Sequence, residues 1–358
     1  MMIRNGMKWI IMFSMVAILL TGCGLYGPEE KTEIDPPPAT LESQDTTGST
    51  LEVTNVNPDQ TSSSAENDQD MKTVKFTIYF LDEKGDVVPL TMDIPKVVGI
   101  GQEVLNYMIV DGPAAAMLPA GFKPVIPAGT KLSMKVEADQ KLAKVDFSRE
   151  FLNYEAESAA DEKKILDAIT WTLTEFPTVE QVEITVNGYP LTEMPKWKTP
   201  ILGPLSRLDG INLELANNIQ MGHTTPVTIY FQRTTADHEY LVPVTRLIPA
   251  TEDIAKATIE QLILGPKSGT DLTSSLLPST KVLDVKVSNN LVVADFSDDL
   301  LGFNQELSQK VIDMIVWSLT ENTPAKSVQI KVQGKTETLK ENQSKPIVRP
   351  IAINASLL

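Results

Sequence analysis

The chain has 358 residues, 42% of them hydrophobic and 22% charged, enough apolar material for two cores of ordinary size without staples. Its formal charge of −16 becomes −18 if Arg4 and Lys8 leave with a leader, and an acidic body of that kind repels phosphate backbones, which argues against nucleic-acid binding. The single cysteine, Cys23, excludes an internal disulfide framework and any cysteine-based zinc site.

Arg4 and Lys8 precede an apolar run from Ile10 to Leu20 that has signal-peptide length and is too short to span a bilayer comfortably. Residues 1–22 therefore read as an export signal. The next step, Leu20-Thr21-Gly22-Cys23, resembles the lipobox at which bacterial lipoproteins are cut, leaving the cysteine to carry lipid through a thioether. Two acyl chains hold where one does not. The other reading is a short uncleaved anchor with an unmodified Cys23, and it leaves the protein on the same side of the membrane. Residues 23–72 are rich in Pro, Ser, Thr, Asp and Glu and too poor in apolar surface to offset ordering entropy, so they are expected to be a disordered tether. A flexible coil of that length spans about 40 Å. Its one patch of distinct character, Glu33-Ile34-Asp35-Pro36-Pro37-Pro38, reads as a stiff turn or as a docking motif.

The remainder is one module written twice, over 73–214 and 215–358. Copy one opens with alternating strands at 74–81 and 87–94 around the turn Asp82-Glu83-Lys84-Gly85, and copy two with strands at 227–232 and 240–248; Thr-Ile-Tyr-Phe is identical at Thr77 to Phe80 and Thr228 to Phe231. A helical pattern follows in each, at 103–110 and 255–264, with Gly112-Pro113 and Gly265-Pro266 as its expected stops. Next comes a hairpin, 131–136 with 141–147 and 281–287 with 291–296, ending in Asp146-Phe147-Ser148 and Asp295-Phe296-Ser297. A tryptophan helix is then followed by a strand closed by a turn glycine, 182–188 and 328–334. The echo of Pro200-Ile201 and Ile211-Asn212 in Pro346-Ile347 and Ile353-Asn354 marks a tail, read as a closing edge segment. The order strand, strand, helix, strand, strand, helix, strand gives the fold class α+β, each module a small mixed or antiparallel sheet packed with two helices.

The tryptophan helices carry the clearest repeat. Asp167-Ala168-Ile169-Thr170-Trp171-Thr172-Leu173-Thr174-Glu175 returns as Asp313-Met314-Ile315-Val316-Trp317-Ser318-Leu319-Thr320-Glu321. Ile165, Leu166, Ile169 and Leu173 form a core stripe on the first helix, and Val311, Ile312, Ile315 and Leu319 on the second. Trp171 and Trp317 fall off that stripe. They are candidate packing or interface residues, set either against the first helix of their own module or against the other module or a neighbouring molecule.

No residue pattern announces catalysis. His223 and His238 lack the spacing of a metal pair, and no serine has an evident histidine partner. Asp146 and Asp295 invite comparison with a shared-proton aspartate dyad, but neither is followed by the glycine of such loops, and an aspartate after a strand is an ordinary turn residue. Glu175 and Glu321 read as polar ends of amphipathic helices instead of a glycosidase pair. The composition offers no phosphate loop, dinucleotide fingerprint or metal loop, so neither cofactor nor metal is expected.

The lipobox, the Glu-Ile-Asp-Pro-Pro tether, the two Gly-Pro, Asp-Phe-Ser and Trp-[Ser/Thr]-Leu-Thr series and the connector Ser206 to Glu214 together resemble the sporulation and germination lipoproteins of spore-forming bacteria built from two GerMN domains. The resemblance covers essentially the whole chain. It implies modules similar to the ring-building motifs of secretion-system and sporulation proteins, and a non-enzymatic role in a mother cell–forespore envelope complex and later in germination. The implied location is the extracytoplasmic face of the membrane, with lipid on Cys23 and envelope proteins as partners; an oligomer is compatible with it. The resemblance supplies no catalytic residue. A peptidoglycan-binding or peptidoglycan-modifying role is the alternative of a different class, and a solute-binding lipoprotein a distant third.

Overall fold

A computed structural model describes residues 72–216, 219–220, 222–302, 305–336 and 343–358. The expected leader, Cys23 and the expected tether up to residue 71 lie outside those residues. No helix of the described residues is long and apolar enough to cross a membrane.

The first module starts with an antiparallel hairpin of β1 (Thr73–Leu81) and β2 (Val87–Pro95). Asp82 closes its turn by accepting the N–H groups of Lys84 and Asp86, each at 2.9 Å. Helix α1 (Ile100–Tyr107) then ends well before its expected stop. The backbone leaves the helix because Val110 N–H donates to Ile126 O at 2.8 Å and Ile126 N–H to Met108 O at 2.9 Å, a bridge to the following loop. Gly112-Pro113 opens a short 3-10 turn, Pro113–Ala116, instead of closing α1. A side chain at Gly112 would stand 2.1 Å from the carbonyl oxygen of Asn106, so only glycine passes there.

β3 (Leu132–Glu137) and β4 (Leu142–Phe147) form the second hairpin, α2 (Ala159–Leu173) crosses over, and β5 (Gln181–Val186) returns parallel to β4. A parallel pair requires such a crossover, and α2 supplies it. Ser158 caps α2 by accepting Asp161 N–H at 3.2 Å. Two short strands, β6 (Tyr189–Pro190) and β7 (Leu205–Ser206), pair antiparallel with β5. The strands thus divide between a separate hairpin and a mixed sheet, with α2 contacting β1 of one and β5 of the other. That double contact explains why α2 is buried on all sides from Ile165 to Leu173, beyond the expected single stripe.

β8 (Glu214–Leu215) links to the second module, where β9 (Thr224–Thr234) and β10 (Glu239–Pro249) repeat the first hairpin. Here α3 (Ile254–Leu264) does end at its glycine: Gly265 has φ 81°, and its N–H is shared by the carbonyls of Gln261 and Leu262. β11 (Val282–Ser288), β12 (Leu291–Phe296), α4 (Gln309–Asn322), β13 (Ser327–Val332) and the short β14 (Ile347–Val348) complete the copy, with β12 and β13 parallel as before.

The tails are exchanged. Ile211 and Thr245 share two hydrogen bonds, Thr245 N–H to Ile211 O at 2.8 Å and Ile211 N–H to Thr245 Oγ1 at 3.0 Å, and β8 then runs parallel to β10. Reciprocally, Thr91 N–H donates to Ile353 O at 3.0 Å and Ile353 N–H to Thr91 Oγ1 at 2.9 Å. Each tail therefore first edges its own sheet through β7 or β14, as its repeated sequence leads one to expect, and its end then closes an edge of the other module. Gly210 admits the approach: a Cβ there would meet the Thr245 side chain at 3.1 Å. In place of two separate cores, apolar side chains of both modules form one continuous cluster running from Ile78 and Phe80 to Ile229 and Ile330.

Candidate functional site: the seam between the modules

The repeated Trp-[Ser/Thr]-Leu-Thr-Glu motif is the machinery of the seam, and each of its polar members has one task. The hydroxyl of Thr172 accepts the Tyr79 N–H at 3.0 Å, and that of Ser318 accepts the Tyr230 N–H at 2.9 Å, so each helix satisfies the outer edge of its own hairpin. Trp171 is buried between the Tyr79 ring, 5.8 Å away, and the Arg207 guanidinium, 4.4 Å from its centroid. Its indole N–H donates to Gly210 O at 3.2 Å. Trp317 is buried in the same way between Tyr230 at 5.7 Å and Arg349 at 4.2 Å. The sequence reading set each tryptophan either on its own first helix or on a second body; the ring contacts found are with its own hairpin and tail.

The arginines then tie the two copies together. Arg207 Nε donates to Thr174 Oγ1 at 2.9 Å, its Nη2 pairs with Glu175 at 2.6 Å, and its Nη1 reaches across to Glu321 at 2.6 Å. Arg349 donates to Thr320 Oγ1 at 3.0 Å and pairs with the other oxygen of Glu321 at 2.7 Å. Tyr79 donates its phenol to Glu175 and Tyr230 to Glu321. Burial alone would push the Glu321 carboxyl up, but the two guanidiniums outweigh it and hold the group down at about 2. Burial and the neighbouring Glu321 push the Tyr230 phenol well above its ordinary range, so it stays a donor. Above this cluster lies an open groove of about 620 Å³ lined by Arg207, Arg349, Glu175, Glu321, Val348 and Pro324, among others.

Two asparagines repeat the reciprocity at the strands. Asn212 accepts Val87 N–H at 2.9 Å and donates to the carbonyls of Val87 and Pro243, both at 2.8 Å. Asn354 accepts Leu241 N–H and donates to the carbonyls of Leu241 and Pro89, all at 2.9 Å. Both asparagines have positive φ, 45° and 54°, a conformation this residue tolerates better than most. One buried ion pair completes the seam. Arg233 of β9 pairs with Asp82 of the first hairpin turn, each 1% exposed, and further donates to Asp86 at 2.9 Å and to Thr270 O at 2.8 Å. Tyr240 donates to Asp82 at 3.1 Å, and its ring meets Phe122 at 5.2 Å.

Asp146 and Asp295 are not brought together. Each stays in its own sheet and holds the turn beyond the neighbouring strand: Asp146 accepts Gly188 N–H at 2.7 Å and Thr185 Oγ1–H at 2.6 Å, and Asp295 accepts Gly334 N–H at 2.8 Å. Ser148 and Ser297 accept the N–H groups of Lys131 and Lys281 at 2.9 Å, so the polar members of the Asp-Phe-Ser repeat hold turns while Phe147 and Phe296 fill the core. Glu175 and Glu321, read from sequence as mere polar helix ends, are the residues that the reading undervalued; their alignment with Arg207 and Arg349 in the echoing tails was the available signal. His223 and His238 join no metal cluster, and no group of metal-ligating side chains occurs among the described residues.

Two segments of the chain, 77–192 and 228–338, match the Germane family model, described as sporulation and spore germination. The chain is similar to the spore germination protein GerM of Bacillus subtilis strain 168, at 37% identity over 350 residues covering 94% of each chain. Its structure is similar to the solved tandem GerMN domains of the sporulation protein GerM from Bacillus subtilis, with a TM-score of 0.74 and 38% identity over 79% of this chain and 99% of that one.

Proposed function

Because the chain belongs to the Germane family of sporulation and spore germination, we propose that it serves those processes as a non-enzymatic assembly component, held by lipid on Cys23 at the extracytoplasmic face of the membrane. In this role the tandem modules act as one rigid unit that docks envelope proteins of the mother cell–forespore complex. The observation that carries the reading is the fate of the duplicated acids. Asp146, Asp295, Glu175 and Glu321 are spent on internal turns and on the seam, which is how a scaffold uses polar groups and not how an acid–base pair is kept available. The lipobox-like Leu20-Thr21-Gly22-Cys23 supports the anchor.

Crosslinking in sporulating cells tests the role. The intact chain should capture envelope proteins, and Cys23→Ala should lose them together with its membrane association. Capture of no envelope protein by the intact chain would refute the proposal. Incubated with purified peptidoglycan, the folded body should neither pellet with it nor release fragments; either result would favour the wall-directed alternative.

A further inference from the structure

β11 is the terminal strand of its sheet, in the order β11-β12-β13-β14, and among the described residues no strand pairs with its outer side. An open edge of this kind is a template for another chain unless charge or shape spoils it. Two features distinguish this one. Leu283 and Val287 remain 48% and 45% exposed on it, although the bulge between Val282 and Asp284, which leaves Leu283 without a partner on β12, bends the strand at that end. The sequence Leu283-Asp284-Val285-Lys286-Val287 is also self-complementary when reversed: about Val285, Asp284 falls opposite Lys286, Lys286 opposite Asp284, and Leu283 opposite Val287 twice. The equivalent edge of the first module does not have this property. In β3 the counterpart of Val285 is Met134, and about it Lys135 would fall opposite Ser133, so no ion pair forms, while Glu137 is already taken by Lys144 at 3.1 Å.

We infer that β11 is a self-association edge, which pairs antiparallel with β11 of a second copy of this chain. Such a contact is isologous and closes at two copies. Backbone hydrogen bonds supply the adhesion, two Asp284–Lys286 pairs set the register, and two Leu283–Val287 pairs lose their exposure. Asp284 and Lys286 are joined within one copy at 2.5 Å while both remain largely exposed, so the ion pairs can be re-made across the contact without a buried charge. The inference does not depend on the envelope role proposed above.

Sedimentation of the full chain over a concentration series, in detergent where the anchor requires it, should show a monomer–dimer equilibrium. Asp284→Lys and Lys286→Asp each place like charges opposite one another at two positions, and each should weaken the dimer about tenfold or more. Mixed together, the two variants restore both pairs and should form a heterodimer about as tight as the parent. A strictly monomeric parent, variants that dimerise unchanged, or a mixture that stays monomeric would each overturn the assignment, and so would growth beyond two copies. Both positions lie on the surface, and circular dichroism of each variant separates a lost contact from a lost fold.

Discussion

Asp82 and Arg233 occupy the same position in their respective modules, each the second residue after the shared Thr-Ile-Tyr-Phe, and they are bonded to each other. A duplicated residue that meets its own counterpart must either tolerate itself or diverge. Here one copy carries the acid and the other the base, both buried, with Tyr240 and Asp86 completing the shell. The repeat is therefore locked into one pairing of unlike halves.

Removing one partner strands the other. Arg233→Met leaves the Asp82 carboxylate buried without its cation and should cost about 3–5 kcal/mol in denaturant unfolding. Combining it with Asp82→Asn, which keeps an acceptor for the Lys84 and Asp86 amides, should recover part of the loss, since no unpaired charge is then left buried. If the double variant were no more stable than the single, the pair would be doing something other than balancing charge.

Asn212→Ala and Asn354→Ala should each leave buried backbone groups of both hairpins without partners, at about 1–3 kcal/mol apiece. The loss should be local at first. Hydrogen exchange should accelerate at the Val87 amide in Asn212→Ala and at the Leu241 amide in Asn354→Ala, because these are the N–H groups each side chain accepts. An unchanged exchange rate at both amides would remove the bridges from the description of the seam.

Acidity should act on the seam and on the tryptophan helix with opposite signs. Glu321, held down at about 2, binds fewer protons folded than unfolded, so its contribution is present above the ordinary carboxylate range and is lost as the pH falls towards 2. Asp167 is the reverse case: burial, only partly offset by Lys163 at 2.6 Å, raises it to about 7, so it binds more protons folded and its stabilising share fades as the pH rises from about 4 to about 7. Stability measured by denaturant from about pH 2 to about pH 7 should therefore flatten in its neutral limb in Asp167→Asn and in its acid limb in Glu321→Gln. Parallel curves for variant and parent would remove either assignment.

Asp146→Ala and Asp295→Ala should each cost on the order of 1 kcal/mol, from a turn that loses its acceptor. Neither should alter the capture of envelope proteins, and a variant that folds normally yet captures nothing would give that aspartate a role beyond its turn.

Much of this architecture was legible in the residues, because alternation and repetition are local signals. The strand at 291–296 and the helix ending at Leu264 fall where apolar periodicity and Gly265 put them. The first Gly-Pro misled, since the Ile126 bridge, a contact with a loop, ended α1 at Tyr107. Trp171 lay off the apolar stripe because a stripe presumes one buried face, and a helix touching two sheets has more than one. The exchange of tails was invisible for a plainer reason: the echo of Ile211-Asn212 in Ile353-Asn354 says that both segments dock alike, and nothing in a sequence says on which copy.

That exchange sets an order of events for the growing polypeptide. Thr91 and Ile353 are separated by 262 positions, yet they share hydrogen bonds in the finished molecule. A chain made from its amino end can lay down the first hairpin early but must leave that hairpin's border bare until residue 353, beyond the strands of the second module, has been made. Loss of residues 351–358 would thus injure the half of the protein that was synthesised first.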